Sequence, residues 1–225
     1  GDIGNYYGAG AHALSIYDNS YTISLSSENK NGGSTKVESI TPRVDHLVLN
    51  NYLESSSINR DMAYIHAVPN SPVQSIFGTI PKGKTDYTIK GSIPQPELLV
   101  ANEFTRTLSN AGIIVQSEAI STQDLTNYSL TQLENLKLVK THYSPLLGDI
   151  LQWTNRKSMN SYANILFMHI SLEKEDVCSY AAGCSAIKNH WLNRGVNVEG
   201  WYQEDGSGLS RANALNANQV AMVLS

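Results

Sequence analysis

The sequence predicts an α+β, multidomain protein, and three patterns along the chain lead to this prediction. Within residues 12–90, apolar and polar side chains alternate over short segments separated by turns rich in Ser, Asn and Gly. The pattern changes near Pro94, and apolar residues then recur with helical spacing. From residue 144 onward the apolar stripes are helical. A chain of 225 residues can hold one large domain or several small ones.

Residues 12–90 are predicted to form a small β-rich domain. A hairpin is expected over 13–26, with Leu14 and Ile16 in one arm, Tyr21 in the other and Asp18-Asn19 as the turn. Further strands or short apolar runs are expected at 36–40, 47–49, 62–67, 76–80 and 87–89. This region carries no cluster of acids, bases or metal ligands, so we interpret it as scaffold.

Residues 91–141 are predicted to alternate between helix and strand. Pro96 suits the first turn of a helix, Val100, Phe104 and Leu108 lie along one face, and Gly112 ends it. Residues 113–115 and 136–141 are then predicted to be strands, and 122–134 a polar loop.

Four helical patterns follow. The first begins after Ser144-Pro145, the second covers about 161–170, and the third runs from Tyr180 to Trp191. Asn216 opens the last helix, with Gln219 in the position of a capping box. The apolar pattern of that helix continues to the end of the chain, and the first residues show no leader, so we expect an excised piece of a longer protein.

Composition excludes several classes of function. A net charge of −4 argues against a nucleic-acid-binding protein, and no apolar run is long enough to span a membrane. No signal peptide is visible. Cys178 and Cys184 are too few for a zinc site, and the six histidines lack metal-binding spacing. Nucleotide-binding motifs are also missing, so no cofactor and no metal are expected.

Residues 155–162 stand out because they lie between two helical patterns. On a continuous helix Ser158 and Asn160 would point about 200° apart, but at a helix–helix junction both can face one cleft. A hydroxyl and an amide presented together suit proton relay and hydrogen bonding to an acyl substrate. The alternative is a simple helix cap. Ser207, in Gly-Ser-Gly, would instead suggest an esterase, and that interpretation needs a histidine within hydrogen-bonding distance.

Three segments together resemble the class C low-molecular-mass penicillin-binding proteins, which are D-alanyl-D-alanine carboxypeptidases and endopeptidases. The segments are residues 2–10 (Asp-Ile-Gly-Asn-Tyr-Tyr-Gly-Ala-Gly), 157–160 (Lys-Ser-Met-Asn) and 205–211 (Asp-Gly-Ser-Gly-Leu-Ser-Arg). The resemblance implies a penicillin-recognising serine transferase domain interrupted by two inserted domains. It also implies three motifs, Ser-x-x-Lys, Ser-x-Asn and Lys-Thr-Gly, and an acyl-enzyme formed on the first serine.

The resemblance assigns roles to five residues. Ser158 would pass a proton to the leaving D-alanine, and Asn160 would hold the substrate amide. Asp2, Tyr7 and Arg211 would line a pocket for the polar end of the peptidoglycan stem peptide, with Asp2 pairing an ammonium group and Arg211 taking a carboxylate or orienting Asp2. Peptidoglycan peptides and β-lactams would be the partners of the full-length protein, outside the cytoplasmic membrane. That setting tolerates a disulfide between the two cysteines without requiring one.

The chain departs from the family in two motifs. The nucleophile motif is expected upstream of Asp2 and Lys-Thr-Gly downstream of Ser225. Three other Ser-x-x-Lys strings occur, and we expect none to be the nucleophile: Ser27 to Lys30, Ser171 to Lys174 and Ser185 to Lys188. The second ends a helix beside Glu173 and Glu175, and we predict that its serine is not buried. The piece is therefore expected to be inactive alone, and the alternative is a non-catalytic module that binds cell-wall peptides or a partner.

By the same comparison the chain divides into three parts. Residues 12–90 would be an inserted β-rich domain. Residues 1–11 and 91–134 would be part of an inserted α/β domain. Residues 135–225 would be the helical part of the serine D,D-peptidase domain.

Overall fold

The computed structural model describes residues 2–121 and 137–225, which form a mixed α+β structure as predicted. The chain divides into two compact units. Gly1–Tyr6 and His12–Asp149 make the first, which we call the β unit. Tyr7–Ala11 and Ile150–Ser225 make the second, which we call the helical unit.

The β unit contains two sheets of three strands in the described part of the chain. Its strands are β1 Ser20–Ser27, β2 Thr35–Thr41, β3 Val48–Ser56, β4 Met62–Ala67, β5 Val73–Pro81 and β6 Tyr87–Ser92. One sheet has the order β2-β1-β6 and is antiparallel. The other has the order β3-β5-β4, with β3 and β5 parallel and β4 antiparallel to β5. Helix α1, Pro96–Asn110, follows the last strand and begins with proline as predicted.

Alternation along the strands builds the core of this unit. Every second residue of the middle strand β1 is buried, namely Tyr21, Ile23 and Leu25. Apolar side chains from β3 to β6, from two connecting segments and from α1 complete the buried cluster: Val44, Leu53, Ile65, Ile76, Ile80, Ile89, Ile93 and Leu99. In β1 the residues between the buried ones, Thr22 and Ser24, are polar and only partly buried, so period two in the sequence gives this strand one apolar face.

The opening residues pack into the β unit by backbone contacts. The Asn5 side chain accepts a hydrogen bond from Ile65 N–H at 3.1 Å and donates one to Ile65 O at 3.4 Å. Asn5 also forms an isolated bridge with Gly91. A Cβ on Gly4 would lie 2.3 Å from Ile65 O, so only glycine permits this approach.

The structure corrects three strand predictions. The first arm of the 13–26 hairpin is not a strand: Tyr17–Asn19 is a short 3₁₀ turn and Leu14 is exposed. Residues 113–115 and 137–141 also have no regular structure, whereas residue 136 and the predicted loop 122–134 lie outside the described residues. Ile114 and Val139 are 87% and 94% exposed. An apolar run becomes a strand only when it pairs with a neighbouring strand and packs one face, and these runs do neither in the described part of the chain.

The predicted helices of the second half are all present. They are α2 Leu147–Lys157, α3 Asn160–Glu175, α4 Tyr180–Leu192 and α5 Ala217–Leu224. Asn216 caps α5 with the predicted capping box, since its side chain accepts from Gln219 N–H and the Gln219 side chain accepts from Asn216 N–H. Among the described helices, none combines the length and apolarity that a bilayer crossing requires.

Candidate active site

Ser158 lies between α2 and α3, where the helical hydrogen-bond ladder is broken. Its φ angle is 52°, in the left-handed region that few non-glycine residues adopt. Met159 N–H donates to Thr154 O at 3.1 Å and closes the end of α2. The Ser158 side chain is exposed. The predicted junction is therefore present and presents a hydroxyl to solvent.

Asn160 is the first residue of α3 and is half-buried. Its Nδ2 donates to the carbonyl oxygen of Tyr7 at 2.9 Å, and both residues belong to the helical unit. One N–H of the amide is therefore used structurally, while an Asn amide has a second N–H and a carbonyl oxygen to offer a ligand. No hydrogen bond joins Ser158 to Asn160 in the described part of the chain.

Asp2 and Tyr7, the two site residues predicted in the opening segment, belong to different units. Tyr7 is half-buried in the 3₁₀ turn Tyr6–Gly8. Asp2 is exposed and belongs to the β unit, where its carbonyl oxygen accepts from Asn5 N–H at 2.9 Å. Of the five predicted residues, the structure thus joins Asn160 to Tyr7 directly.

The loop 205–211 is organised by the carboxylate of Asp205. Its Oδ1 accepts from Gly208 N–H and from Asn213 Nδ2, both at 2.8 Å. Its Oδ2 accepts from Ser210 N–H at 2.8 Å and from Ser207 Oγ at 3.2 Å. Burial opposes the charge of Asp205, but these hydrogen bonds outweigh it and hold the pKa of the carboxyl below its usual value.

The same loop lies directly on α3. Gly206 N–H donates to Asn164 Oδ1 at 3.0 Å. A Cβ on Gly206 would come within 2.5 Å of Phe167 Cβ and 2.7 Å of Ala163 O, so the approach requires glycine. Sequence reasoning assigned no role to Asn164 or to Asp205. The Asp-Gly turn could have suggested a carboxylate bonded to the following backbone, but no local pattern links residues 164 and 206.

Arg211 follows this loop in a turn and is exposed. Its guanidinium forms no salt bridge with any residue in the described ranges 2–121 and 137–225. Its chain neighbours are tied down, because Ser210 and Asn213 both bond to Asp205. The guanidinium of Arg211 therefore stands on a turn that hydrogen bonds restrain, and it can bind a carboxylate.

Ser207 does not have the surroundings of an esterase nucleophile. Its hydroxyl donates to Asp205 and accepts from Leu209 N–H at 3.3 Å. All six histidines lie within the described residues, and none of them hydrogen-bonds to Ser207. The esterase hypothesis therefore lacks its base.

The three Ser-x-x-Lys strings hold structural serines. Ser185 Oγ donates back to Ala181 O on α4 at 3.1 Å, and Ser27 Oγ donates to Pro81 O at 2.8 Å. Ser171 is fully buried, which corrects the prediction that this serine is not buried. Its hydroxyl donates to Met168 O and accepts from Ser179 N–H, so it connects α3 to the N-cap residue of α4.

The two cysteines are free thiols. Cys178 is exposed, whereas Cys184 lies on α4 and donates from its Sγ to Gln203 O at 2.8 Å. Burial raises the pKa of the Cys184 thiol. Within the described residues no three metal-binding side chains converge.

Comparison with known proteins agrees with this picture. The model of the D-Ala-D-Ala carboxypeptidase 3 (S13) family matches residues 1–225. A D-alanyl-D-alanine carboxypeptidase from Actinomadura sp. (strain R39) is 24% identical over 150 residues, which cover 67% of this chain and 27% of that protein.

Solved structures share the fold. Penicillin binding protein 4 (dacB) from Haemophilus influenzae matches with a TM-score of 0.71 at 17% identity, over 98% of this chain and 48% of that chain. The same protein complexed with a novel β-lactam matches with a TM-score of 0.59 at 19% identity, over 90% of this chain and 44% of that chain. The chain thus spans less than half the length of these relatives. With a family match over its whole length, this chain belongs to the D-Ala-D-Ala carboxypeptidase 3 (S13) family.

Proposed function

We propose that this chain is part of a serine-type D-alanyl-D-alanine carboxypeptidase that acts on peptidoglycan stem peptides outside the cytoplasmic membrane. The observation that carries the proposal is the α2–α3 junction, where an exposed Ser158 is followed by Asn160 at the first position of a helix. Family membership supplies the reaction class.

In the proposed reaction, a serine of a Ser-x-x-Lys motif in the full-length protein attacks the carbonyl carbon of the D-Ala-D-Ala bond. The C–N bond breaks and D-alanine leaves with a proton delivered through the Ser158 hydroxyl. Water then hydrolyses the acyl ester and regenerates the serine. The Asn160 amide holds the substrate amide during both steps, and an amide placed beforehand stabilises developing charge more than mobile water does.

We assign Asp2, Tyr7 and Arg211 to recognition of the polar end of the stem peptide. The exposed carboxylate of Asp2 suits an ammonium group, and the exposed guanidinium of Arg211 suits a carboxylate. β-Lactams would compete for the same acylation step in the full-length protein.

The domain assignment is part of the proposal. Residues 12–90 would form the inserted β-rich domain, residues 1–11 with 91–134 part of the α/β insert, and residues 135–225 the partial peptidase domain. Because the chain spans less than half of its relatives, we propose that it is inactive alone and that catalysis needs the motifs of the full-length protein.

Labelling with a fluorescent penicillin tests the proposal. The full-length protein that contains this chain should be acylated, and Ser158→Ala should slow acylation about 100-fold, the loss typical of a missing proton-transfer group. The matched control is Ser185→Ala, which removes an exposed helical hydroxyl outside the site and should leave the rate unchanged.

Two outcomes would contradict the proposal. If the full-length protein is never labelled, the alternative of a non-catalytic module that binds cell-wall peptides replaces it. If the chain alone is labelled, its nucleophile lies within residues 1–225, and the assignment of the missing motif is wrong.

A further inference from the structure

The carboxylate of Asp205 is the most heavily hydrogen-bonded acid in the described part of the chain, and the proposed reaction gives it no task. Four donors converge on it, from Ser207, Gly208, Ser210 and Asn213. A carboxylate with this many donors fixes the path of the backbone around it, because ionised acceptors form stronger hydrogen bonds than neutral ones.

Two of these donors lie on either side of Arg211. Ser210 N–H bonds to Asp205 Oδ2 at 2.8 Å, and Asn213 Nδ2 bonds to Oδ1 at 2.8 Å. A second acid strengthens the same turn, since Glu204 Oε2 accepts from Ser210 Oγ at 2.5 Å and Glu204 N–H donates to Asn213 Oδ1 at 2.8 Å. The backbone that carries the guanidinium is therefore held before and after Arg211.

The loop is also tied to the helix that begins with Asn160. Asn164 lies one turn further along α3 and accepts from Gly206 N–H at 3.0 Å. Gly206 approaches the α3 backbone so closely that a Cβ would lie 2.7 Å from Ala163 O. Asn164 thus connects the motif helix to the residue that follows Asp205.

We propose that Asp205 and Asn164 are positioning residues that hold Arg211 at a set place relative to the Ser-x-Asn motif on α3. This inference rests on the proposed function for its substrate, a stem peptide with a carboxylate at its polar end. Neither residue touches the reacting atoms. They act through Arg211, by restricting the turn on which it stands, and so they determine which peptides the protein distinguishes.

Replacement of the carboxylate by an amide tests this role in the full-length protein. Asp205→Asn keeps one acceptor oxygen but turns an NH₂ group toward N–H donors, so at least one hydrogen bond is lost. We expect KM for a peptide with the carboxylate to rise about tenfold with kcat nearly unchanged, the pattern of a lost binding interaction. Penicillin labelling, which counts active molecules, should keep its full amplitude. The matched control is Asp176→Asn, the same change at the exposed end of α3.

A double-mutant cycle separates positioning from general stability. On the Arg211→Ala background, Asp205→Asn should change KM no further, because the residue it positions is gone. We call the hydrogen bonds of Asp205 and Asn164 to residues 206–213 the brace. At its α3 end, Asn164→Asp keeps the acceptor for Gly206 N–H and should retain KM, whereas the similarly sized Asn164→Leu should raise KM. Two results would overturn the inference: additive effects of Asp205→Asn and Arg211→Ala on KM, or a loss of labelling amplitude in Asp205→Asn as large as its loss of peptide binding.

Hydrogen exchange on the present chain tests the brace without any enzymatic activity. The amides of Gly208 and Ser210 are bonded to Asp205, so Asp205→Asn should speed their exchange about tenfold or more while the amides of α3 keep theirs. Unchanged exchange at these two amides would disprove the brace even in an active enzyme. If the brace is seen but the full-length protein is never acylated, the proposed function fails and not the positioning.

Discussion

Tyr21 and Gln74 form a polar link inside the core of the β unit. Tyr21 Oη donates to Gln74 Oε1 at 2.5 Å, and Gln74 Nε2 donates to the carbonyl oxygen of Ser92 at 2.9 Å. All three residues are buried, at 1%, 1% and 3% exposure. Burial raises the pKa of the Tyr21 hydroxyl, so it keeps its proton and remains a donor. The link joins β1 of one sheet to β5 of the other.

Removal of one partner should therefore cost more than removal of both. Gln74→Met leaves the Tyr21 hydroxyl and the Ser92 carbonyl buried without a partner, and we expect a loss of about 2 kcal/mol in the free energy of unfolding. The double variant Tyr21→Phe with Gln74→Met should recover part of that loss, because only the carbonyl then remains unpaired. Urea unfolding measures both. A Gln74→Met midpoint equal to that of the wild type would contradict the importance of the link.

In the candidate site, residues with a local sequence pattern could be predicted, whereas residues whose role depends on a long-range contact could not. The position of Ser158 and Asn160 between two apolar stripes is local, so the helix junction could be predicted from spacing. Their roles came from resemblance to a family. Asn164 and Gly206 are 42 positions apart, and the contact depends on how α3 and the loop pack. No periodicity reports such a contact, and the brace on Arg211 was therefore missed.

Helices α3 and α4 approach each other closely at a glycine. Gly183 is buried in α4, and a Cβ there would lie 2.5 Å from Phe167 Cε1 on α3. Glycine in a helix interior normally costs about 1 kcal/mol relative to alanine. Here the small residue creates the space that the Phe167 ring fills, so packing outweighs helix propensity.

Gly183→Ala should accordingly destabilise the protein, although alanine is the better helix former. Overpacking costs about 1–3 kcal/mol, which exceeds the propensity gain of about 1 kcal/mol. The matched control is Gly148→Ala in the first turn of α2, where a Cβ meets nothing within 4 Å and a small stabilisation is expected. Thermal unfolding of both variants measures the two signs. A higher melting temperature for Gly183→Ala would show that the ring simply moves aside.

Helices were predicted more faithfully than strands, for a physical reason. A helix satisfies its hydrogen bonds within one segment, so stripes and caps such as Asn216 with Gln219 suffice to locate it. A strand needs a partner from elsewhere. The strands of the β unit have such partners, but residues 113–115 have none in the described part of the chain and remain irregular despite their apolar side chains.

At the scale of the whole molecule, the described part of the chain contains a long exposed connection before α2. Residues 137–146 are all exposed and lack regular structure. Leu138, Val139 and Tyr143 are more than three-quarters exposed, at 79%, 94% and 83%. Few packing contacts hold this stretch, so it should be among the first segments to fit into a protease active site.

Limited trypsin digestion should cut first after Lys137 or Lys140. Mass spectrometry of early products identifies the bond, and Lys137→Gln with Lys140→Gln should delay the first cleavage. Lys36 is a fitting internal comparison because it is exposed but lies within β2, and a strand must unfold locally before cleavage. Early cleavage at Lys36 would contradict the expected order of stability.

The hydrogen bond between Asn160 and Tyr7 has a consequence for how the protein is made. Residues 7–11 belong to the helical unit, yet the ribosome releases them before residues 12–149 of the β unit and before the rest of the helical unit. They must wait until residue 160 has been translated before this contact can form. A fragment starting at residue 150 would lack them altogether, so a recombinant version of the helical unit has to splice residues 7–11 onto it.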